Sequence, residues 1–474
     1  MNVACVKGPL SNNRAPADVR AAEPCALGIR MGKSSKGALG RLAALGGLTS
    51  RVTSSYVGQR LAGAFQGGEA RKDALDRLHL RNAERVVETV GRLKGAAMKV
   101  GQSVAMVAGS LDLPQDVRDV LGRLHDKVEP IPYTQIREDV EAALGGPLTE
   151  RFSFFDPQPL GTASLGQAHA ARLPDGREVV VKVLHRGVEG SVASDIGALK
   201  AMLIGGRLLK RDKAEIDAMF EEIKERLAEE LDYLQEAVNI AEFQRMFEGD
   251  DRVRVPGIHH DWCSERVLTM DRLPGLPLEQ FLERSTPEAK QRAGVTLVHM
   301  FYSQIYTHLT LHADPHPGNY LFELDGRVGL LDYGCVRRFD PYWMAHYAQA
   351  ALAAVDGDRA GCLEHCEAIG AIEEGAPREA SDALWHFCDL LTLPYRQPTY
   401  ELGGPADDEL FRQFPIAIAR MVQHREIHST RELLFMHRAL GGMYALQRRL
   451  RPRERWLDIL HQYVGQAIAR VEGV

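Results

Sequence analysis

The sequence predicts an α+β fold in which a small mixed sheet stands between helical regions, and three features carry that prediction. Residues 72–144 space apolar positions such as Val86, Val90, Leu93, Ala97 and Val100 by three and four, the period of a helix face. Residues 167–184 change to short β-branched runs on either side of Pro174-Asp175-Gly176, the chemistry of a hairpin turn. From Thr286-Pro287-Glu288, an N-cap followed by proline at the first helical position, the chain starts a long helix, and nearly everything beyond residue 340 is helical in pattern.

In chain order, residues 1–71 form a basic arm. Eleven Lys/Arg stand against three Asp/Glu in residues 1–72, whereas the remainder holds 47 against 61. Such an arm reads first as a solvated, flexible tail, with contact to anionic lipid as the open alternative and no nucleic-acid partner assigned. Met1 and Met31 are both candidate starts. Helical residues 72–145 follow. Residues 146–274 hold the hairpin of 167–173 and 178–184, charged helices at about 190–248, and two further strands with a loop between them in "RVRVPGIHHDWCSERVLTMDRLPG". Residues 275–474 form the second, mainly helical part, with one more hairpin from 320–322 and 328–331 turning at Asp325-Gly326.

Composition bounds the function. With 45% hydrophobic and 26% charged residues the chain is that of a folding globular protein. No run approaches the roughly 18 apolar residues of a membrane span, and the first 30 residues lack the apolar core of a secretory signal, so a cytosolic protein is expected. Seven cysteines without a CxxC pair read as reduced thiols. Cys362 and Cys366, four apart in a helical pattern, read as two buried small residues rather than as metal ligands with His365.

Chemistry concentrates in three places. The loop "PLGTASLGQ" has the glycines of a phosphate loop, Gly161 and Gly166, but Gln167 stands where a Walker loop needs Lys-Ser/Thr. Lys182, flanked by Val180, Val181 and Val183, needs a partner if its strand is buried, and otherwise lies on an edge strand. Asp232 and Glu236 share a face of the acidic stretch "LAEELDYLQEAVN", which is either a solvated stripe or the source of that partner. Strand lysine followed by helix glutamate is also the ion pair with which kinases hold ATP phosphates. In "HADPHPGNYLFELDGRVGLLDYG", residues 312–334, Asp314 and Asn319 have the five-residue separation of a kinase base and its magnesium-binding asparagine, and Asp332-Tyr333-Gly334 stands where kinases have Asp-Phe-Gly. Asn319 and Asp332 offer the hard oxygen donors that Mg²⁺ prefers. The backbone at Asp271 to Leu273, after the strand "ERVLTMDRLPG", would be the hinge that bonds an adenine. A zinc hydrolase using His312, Asp314 and His316 is the competing reading, and it leaves Lys182 without a role.

These motifs, in this order, resemble the UbiB/AarF family of atypical protein-kinase-like proteins over about residues 80–350. "LKGAAMKVGQ" is similar to the family's KxGQ motif, with Lys99, Gly101 and Gln102. "GTASLGQAH" is similar to its alanine-rich loop, although Gly161-Thr162 stands where alanines are common, and Tyr333 replaces the more frequent phenylalanine. Glu230-Leu231-Asp232 is similar to the ExD motif that faces KxGQ. The resemblance implies a two-lobed protein-kinase-like fold with a small β-sheet N-lobe, a helical C-lobe and an N-terminal helical extension carrying KxGQ. It further implies ATP and Mg²⁺ as cofactors. Gly161, Thr162, Ala163, Ser164, Lys182, Glu236, Asp271 and Leu273 would hold the nucleotide, Asn319 and Asp332 the metal, and Asp314 would be the catalytic carboxylate. Lys99, Gln102, Glu230 and Asp232 would form a lid that makes protein phosphorylation doubtful. The implied activity is an ATPase or a small-molecule or lipid kinase supporting ubiquinone or other isoprenoid-lipid metabolism, beside quinone-pathway enzymes and peripherally at a membrane. The alternative is a catalytically weak, nucleotide-sensing scaffold.

Overall fold

The computed structural model describes residues 130–162, 165–186 and 231–472, together with isolated positions between 47 and 228. The basic arm apart from Gly47, Ser54 and Ser55, the KxGQ residues Lys99, Gly101 and Gln102, and Ala163, Ser164 and Glu230 lie outside the described residues.

Helix α1 (Tyr133–Leu144) and the short α2 (Leu148–Arg151) lead into strands β1 (Phe154–Thr162), β2 (Gly166–Arg172) and β3 (Glu178–Leu184). These join β5 (Val267–Asp271) in a four-stranded antiparallel sheet of order β1-β2-β3-β5. The predicted hairpin is present, with Gly176 at φ +92° in its turn, a conformation that glycine adopts without strain. Strand alternation then sorts β3. Val179, Val181 and Val183 face α1, packing with Ile136, Val140 and Val267, and Val180, Lys182 and Leu184 point the other way.

On that other face lies α3 (Tyr233–Met246), whose buried residues Tyr233, Ala237, Ile240 and Phe243 pack with Leu184, Leu268 and Met270. Asp232 caps the helix, its carboxylate accepting from Gln235 N at 2.9 Å. The two strands expected in 252–274 part company. β4 (Val253–Arg254) pairs in parallel with β8 (Val328–Leu330) in a separate sheet, and only β5 joins β3. The reason is visible in the chemistry between them. Gly257 and Ile258 occupy the free edge of β5 through Asp271 N to Gly257 O at 2.8 Å, so this edge needs no complete strand.

The helical part comprises α4 (Leu278–Arg284), α5 (Pro287–Tyr302), α6 (Pro341–Asp356), α7 (Arg359–Ala368), α8 (Arg378–Thr392), α9 (Pro405–Met421), α10 (Arg431–Leu450) and α11 (Trp456–Glu472). Thr286 caps α5 as expected, its hydroxyl accepting from Ala289 N. α5 ends in a π-helical turn, Ser303–Thr307, which turns the buried Gln304 toward the next strand. That strand, β6 (Thr310–His312), pairs with β9 (Val336–Arg338), and between them β7 (Tyr320–Phe322) pairs with β8. Two nested hairpins therefore bring residues 312–336 back on themselves. No helix among the described residues is long and apolar enough to cross a membrane.

Candidate functional site

Because β3 is an interior strand and Lys182 is on its α3 side, the lysine has to find a partner on α3, and it finds Glu236. Nζ donates to Oε1 at 2.6 Å, with the carboxylate side chain only 5% exposed and the lysine 16%. Asp332 stands on the other side of the ammonium, Oδ2 at 3.6 Å. Burial alone would depress the lysine pKa, but the carboxylates of Asp332 and Glu236 outweigh it and hold Lys182 protonated, above its ordinary range. Glu236 is pushed up by burial against the pull of Lys182.

The segment 332–334 is fixed through its backbone. Glu236 Oε1 also accepts from Tyr333 N at 3.2 Å, Asn239 Nδ2 donates to Tyr333 O at 2.8 Å, and the His312 Nε2–H donates to Asp332 O. Glu236 and Asn239 lie three apart and share a face of α3, so one helix holds both ends of the Tyr333 peptide. Tyr333 itself is fully buried against Phe243, ring centroids 5.1 Å apart. Burial pushes the His312 imidazole pKa down, so it serves as a neutral donor. With the backbone so held, the half-exposed Asp332 carboxylate faces outward beside Lys182, Oδ1 accepting from Gly334 N at 2.9 Å.

Asn319 approaches from the opposite strand of the inner hairpin. Tyr320 pairs with Leu330, and Leu331 N donates to Asn319 O at 2.9 Å, so Asn319 stands across from the residue preceding Asp332. Its Nδ2 donates to Asp314 Oδ2 at 2.9 Å and to Asp314 O at 3.0 Å. The amide oxygen is left as the acceptor that a cation can use. A carboxylate and an amide oxygen at the mouth of one hairpin form a donor set suited to a hard divalent ion such as Mg²⁺.

Other predicted residues fall around this core. Gly161 and Thr162 end β1 opposite Ala168 and Gln167, and a Cβ on Gly161 would meet nothing within 4 Å, so its backbone is open to a ligand. The Asp271 carboxylate is committed to Gly257 N at 2.9 Å and His259 Nε2 at 2.8 Å, and the Asp271 and Arg272 N–H groups donate to Gly257 O and Glu178 O, so the Asp271 carbonyl and the Leu273 N–H are the main-chain groups that can face a base. The Leu273 side chain lies against Gly329 of β8. His316 is exposed and accepts from Gly318 N to close the loop turn, while His312 is buried behind the backbone, so the two imidazoles do not join Asp314 in a zinc site.

Sequence reasoning missed several contributors. Arg438 on α10 donates to Asp314 Oδ1 at 3.4 Å, and Gly442, one turn later, lets the helix reach Pro315: a Cβ there would be 2.4 Å from the proline Cγ. The Gly441-Gly442 pair inside a helical pattern was the available signal of close packing. Gln167, which the sequence reading used only to set aside a Walker loop, accepts from Ile131 N at 2.9 Å and donates to His169 Nε2, tying the segment before α1 to β2. Cys388, assigned no partner from sequence, lies with Cys362 and Cys366, all three sulfurs within 4.8 Å of one another.

Comparison with known proteins identifies relatives of the chain. Residues 123–366 match the family model described as the ABC1 atypical kinase-like domain. The atypical kinase COQ8B, mitochondrial, of Rattus norvegicus is 28% identical over 437 residues, covering 90% of this chain and 81% of the relative. The probable protein kinase UbiB of Marinobacter nauticus is 29% identical over 359 residues, 72% of this chain and 62% of the relative. Among solved structures, the complex of Rv3197 with erythromycin from Mycobacterium tuberculosis superimposes with a TM-score of 0.59 at 22% identity, covering 84% of this chain and 99% of that one, a likeness of fold.

Proposed function

The chain belongs to the ABC1 atypical kinase-like family, and from that premise we propose that it binds Mg-ATP between the sheet and the helical part, with hydrolysis or transfer to a small molecule or lipid as its reaction. The observation that carries this reading is the Lys182–Glu236 ion pair at 2.6 Å with Asp332 at 3.6 Å from the same ammonium. A buried, protonated lysine beside a half-exposed carboxylate is what a polyphosphate with its metal needs. In this reading Lys182 faces the α- and β-phosphates and Glu236 fixes its position. The open backbone at Gly161, with Thr162 and the Ala163 and Ser164 that follow it in the sequence, cradles phosphate, and the main chain of Asp271 to Leu273 bonds the base. Asn319 and Asp332 hold Mg²⁺, which supplies charge neutralisation on the phosphate oxygens when bound. Asp314, kept in place by Asn319, accepts the proton of the attacking hydroxyl or water. Lys99, Gln102, Glu230 and Asp232 are proposed as the lid. The pathway proposed is ubiquinone or related isoprenoid-lipid metabolism, with the acceptor or the stimulating lipid met at a membrane surface.

The test is Mg²⁺-dependent nucleotide binding and phosphate release by wild type, Asp332→Asn and Asn319→Ala, with and without anionic liposomes and a quinone-head-group phenol. Affinity for Mg-ATP should fall at least about tenfold in Asp332→Asn, a loss of about 1.4 kcal/mol; unchanged affinity and turnover in that variant would remove the basis of the proposal. A second reading, nucleotide sensing without turnover, has one observation in its favour. Arg438 donates to Asp314 Oδ1 at 3.4 Å and Asn319 to Oδ2 at 2.9 Å, so both oxygens of the carboxylate that would take the proton already accept hydrogen bonds. Mg-ATP binding without phosphate release, even with lipid added, would select it.

A further inference from the structure

Away from the nucleotide cleft, α7 and α8 bring three thiols together. Cys362 and Cys366 are one turn apart and share a face of α7. Cys388 meets them from α8, and the three Sγ atoms lie within 4.8 Å of one another. Cys362 and Cys366 are buried and Cys388 partly so, in an apolar layer containing Ala350, Ala354, Ile369 and Leu384. A single buried cysteine is an ordinary small apolar residue. Three whose sulfurs turn to one point from two helices are a donor set.

We propose that Cys362, Cys366 and Cys388 bind a thiophilic d¹⁰ metal ion, Cu(I) in three-coordination or Zn(II) with water as a fourth ligand. Three points no more than 4.8 Å apart lie within about 2.8 Å of a common centre. A Zn–S bond is about 2.3 Å, so each sulfur has to move inward by only about half an ångström. The partly exposed Cys388 gives the ion its entry. Soft thiolates select copper(I) and zinc over the hard Mg²⁺ assigned to the cleft, so the two sites do not compete for one ion. Binding releases the thiol protons to solvent, and the cation offsets the charge that the thiolates carry into this apolar layer. Once bound, the ion links α7 to α8 across the connection of 369–377, and its site is independent of the nucleotide reading.

The experiment uses the full chain, purified with reductant and stripped with chelators. It is titrated separately with Cu(I) against bathocuproine disulfonate and with Zn²⁺ against a chromogenic chelator. One equivalent of one of the two ions should bind, and X-ray absorption of that complex should show three sulfurs, at about 2.3 Å if the ion is zinc. Cys388→Ser should lose more than the 10- to 100-fold that removal of an outer-shell partner costs, and Cys263→Ser should bind as wild type. Absence of one-equivalent binding for both ions overturns the proposal, as does a metal shell without sulfur or Cys388→Ser binding like wild type. A disulfide among the three in freshly isolated protein does the same. The absorption measurement on wild type decides the matter even if Cys388→Ser does not fold.

Discussion

Replacing Lys182 by methionine keeps the length and apolar stem of the side chain and removes its charge. Glu236, 5% exposed, then loses its 2.6 Å partner and keeps only the Tyr333 N–H, with the Asp332 carboxylate still nearby. Breaking a buried pair from one side leaves an uncompensated charge and costs about 3–5 kcal/mol. Lys182 is 16% exposed and Glu236 can take up a proton, so the lower end, about 3 kcal/mol, is expected here. Glu236→Gln keeps an oxygen for Tyr333 N and Lys182 while removing the charge, and should cost about 1–2 kcal/mol. The double variant Lys182→Met/Glu236→Gln removes both charges, so it should be less destabilised than the sum of its singles, with a coupling of about 2 kcal/mol. Urea unfolding of the four proteins gives the cycle, and nucleotide binding measured in parallel should be lost in both lysine variants. Additivity within about 0.5 kcal/mol, or a Lys182→Met cost below about 1 kcal/mol, would show that the pair is not the buried, mutually dependent unit described.

Two more expectations follow from burial and close packing. Burial pushes the His437 imidazole, 5.8 Å from the Phe387 ring, down to about 4. Its folded pKa is below the unfolded value near 6.5, so the unfolded chain binds the proton first. Stability is full above about pH 6.5 and is lost as the pH falls toward 4, by roughly 2–3 kcal/mol from this group. His437→Leu should flatten that part of the urea-midpoint profile, and an unchanged slope would exclude the assignment. Gly442→Ala gains about 1 kcal/mol of helix propensity, but its Cβ would be 2.4 Å from Pro315 Cγ on a ring that cannot rotate away. Overpacking of about 1–3 kcal/mol should prevail and move Arg438 from Asp314; thermal stabilisation by this variant would contradict the packing.

Sequence by itself determined the elements and the order of the chemical groups. Local signals were sufficient for the hairpin about Pro174-Asp175-Gly176, for the Thr286 cap and for the placement of Asn319 and Asp332 at one hairpin mouth, because turn chemistry, capping and strand period act over a few residues. The choice between an edge-strand lysine and one with a partner on the helix was not legible in "VVVKVL". Only the sheet order, which makes β3 interior and turns residue 182 toward α3, decided it. The separation of β4 from β5 also escaped the pattern, since a two-residue strand carries no period and its partner lies more than 70 residues away. Arg438 reaches Asp314 across 124 positions, and Cys388 meets Cys362 and Cys366 only because α8 folds back on α7. Such contacts depend on how helices pack, and packing is fixed by the whole buried surface rather than by the residues that happen to meet.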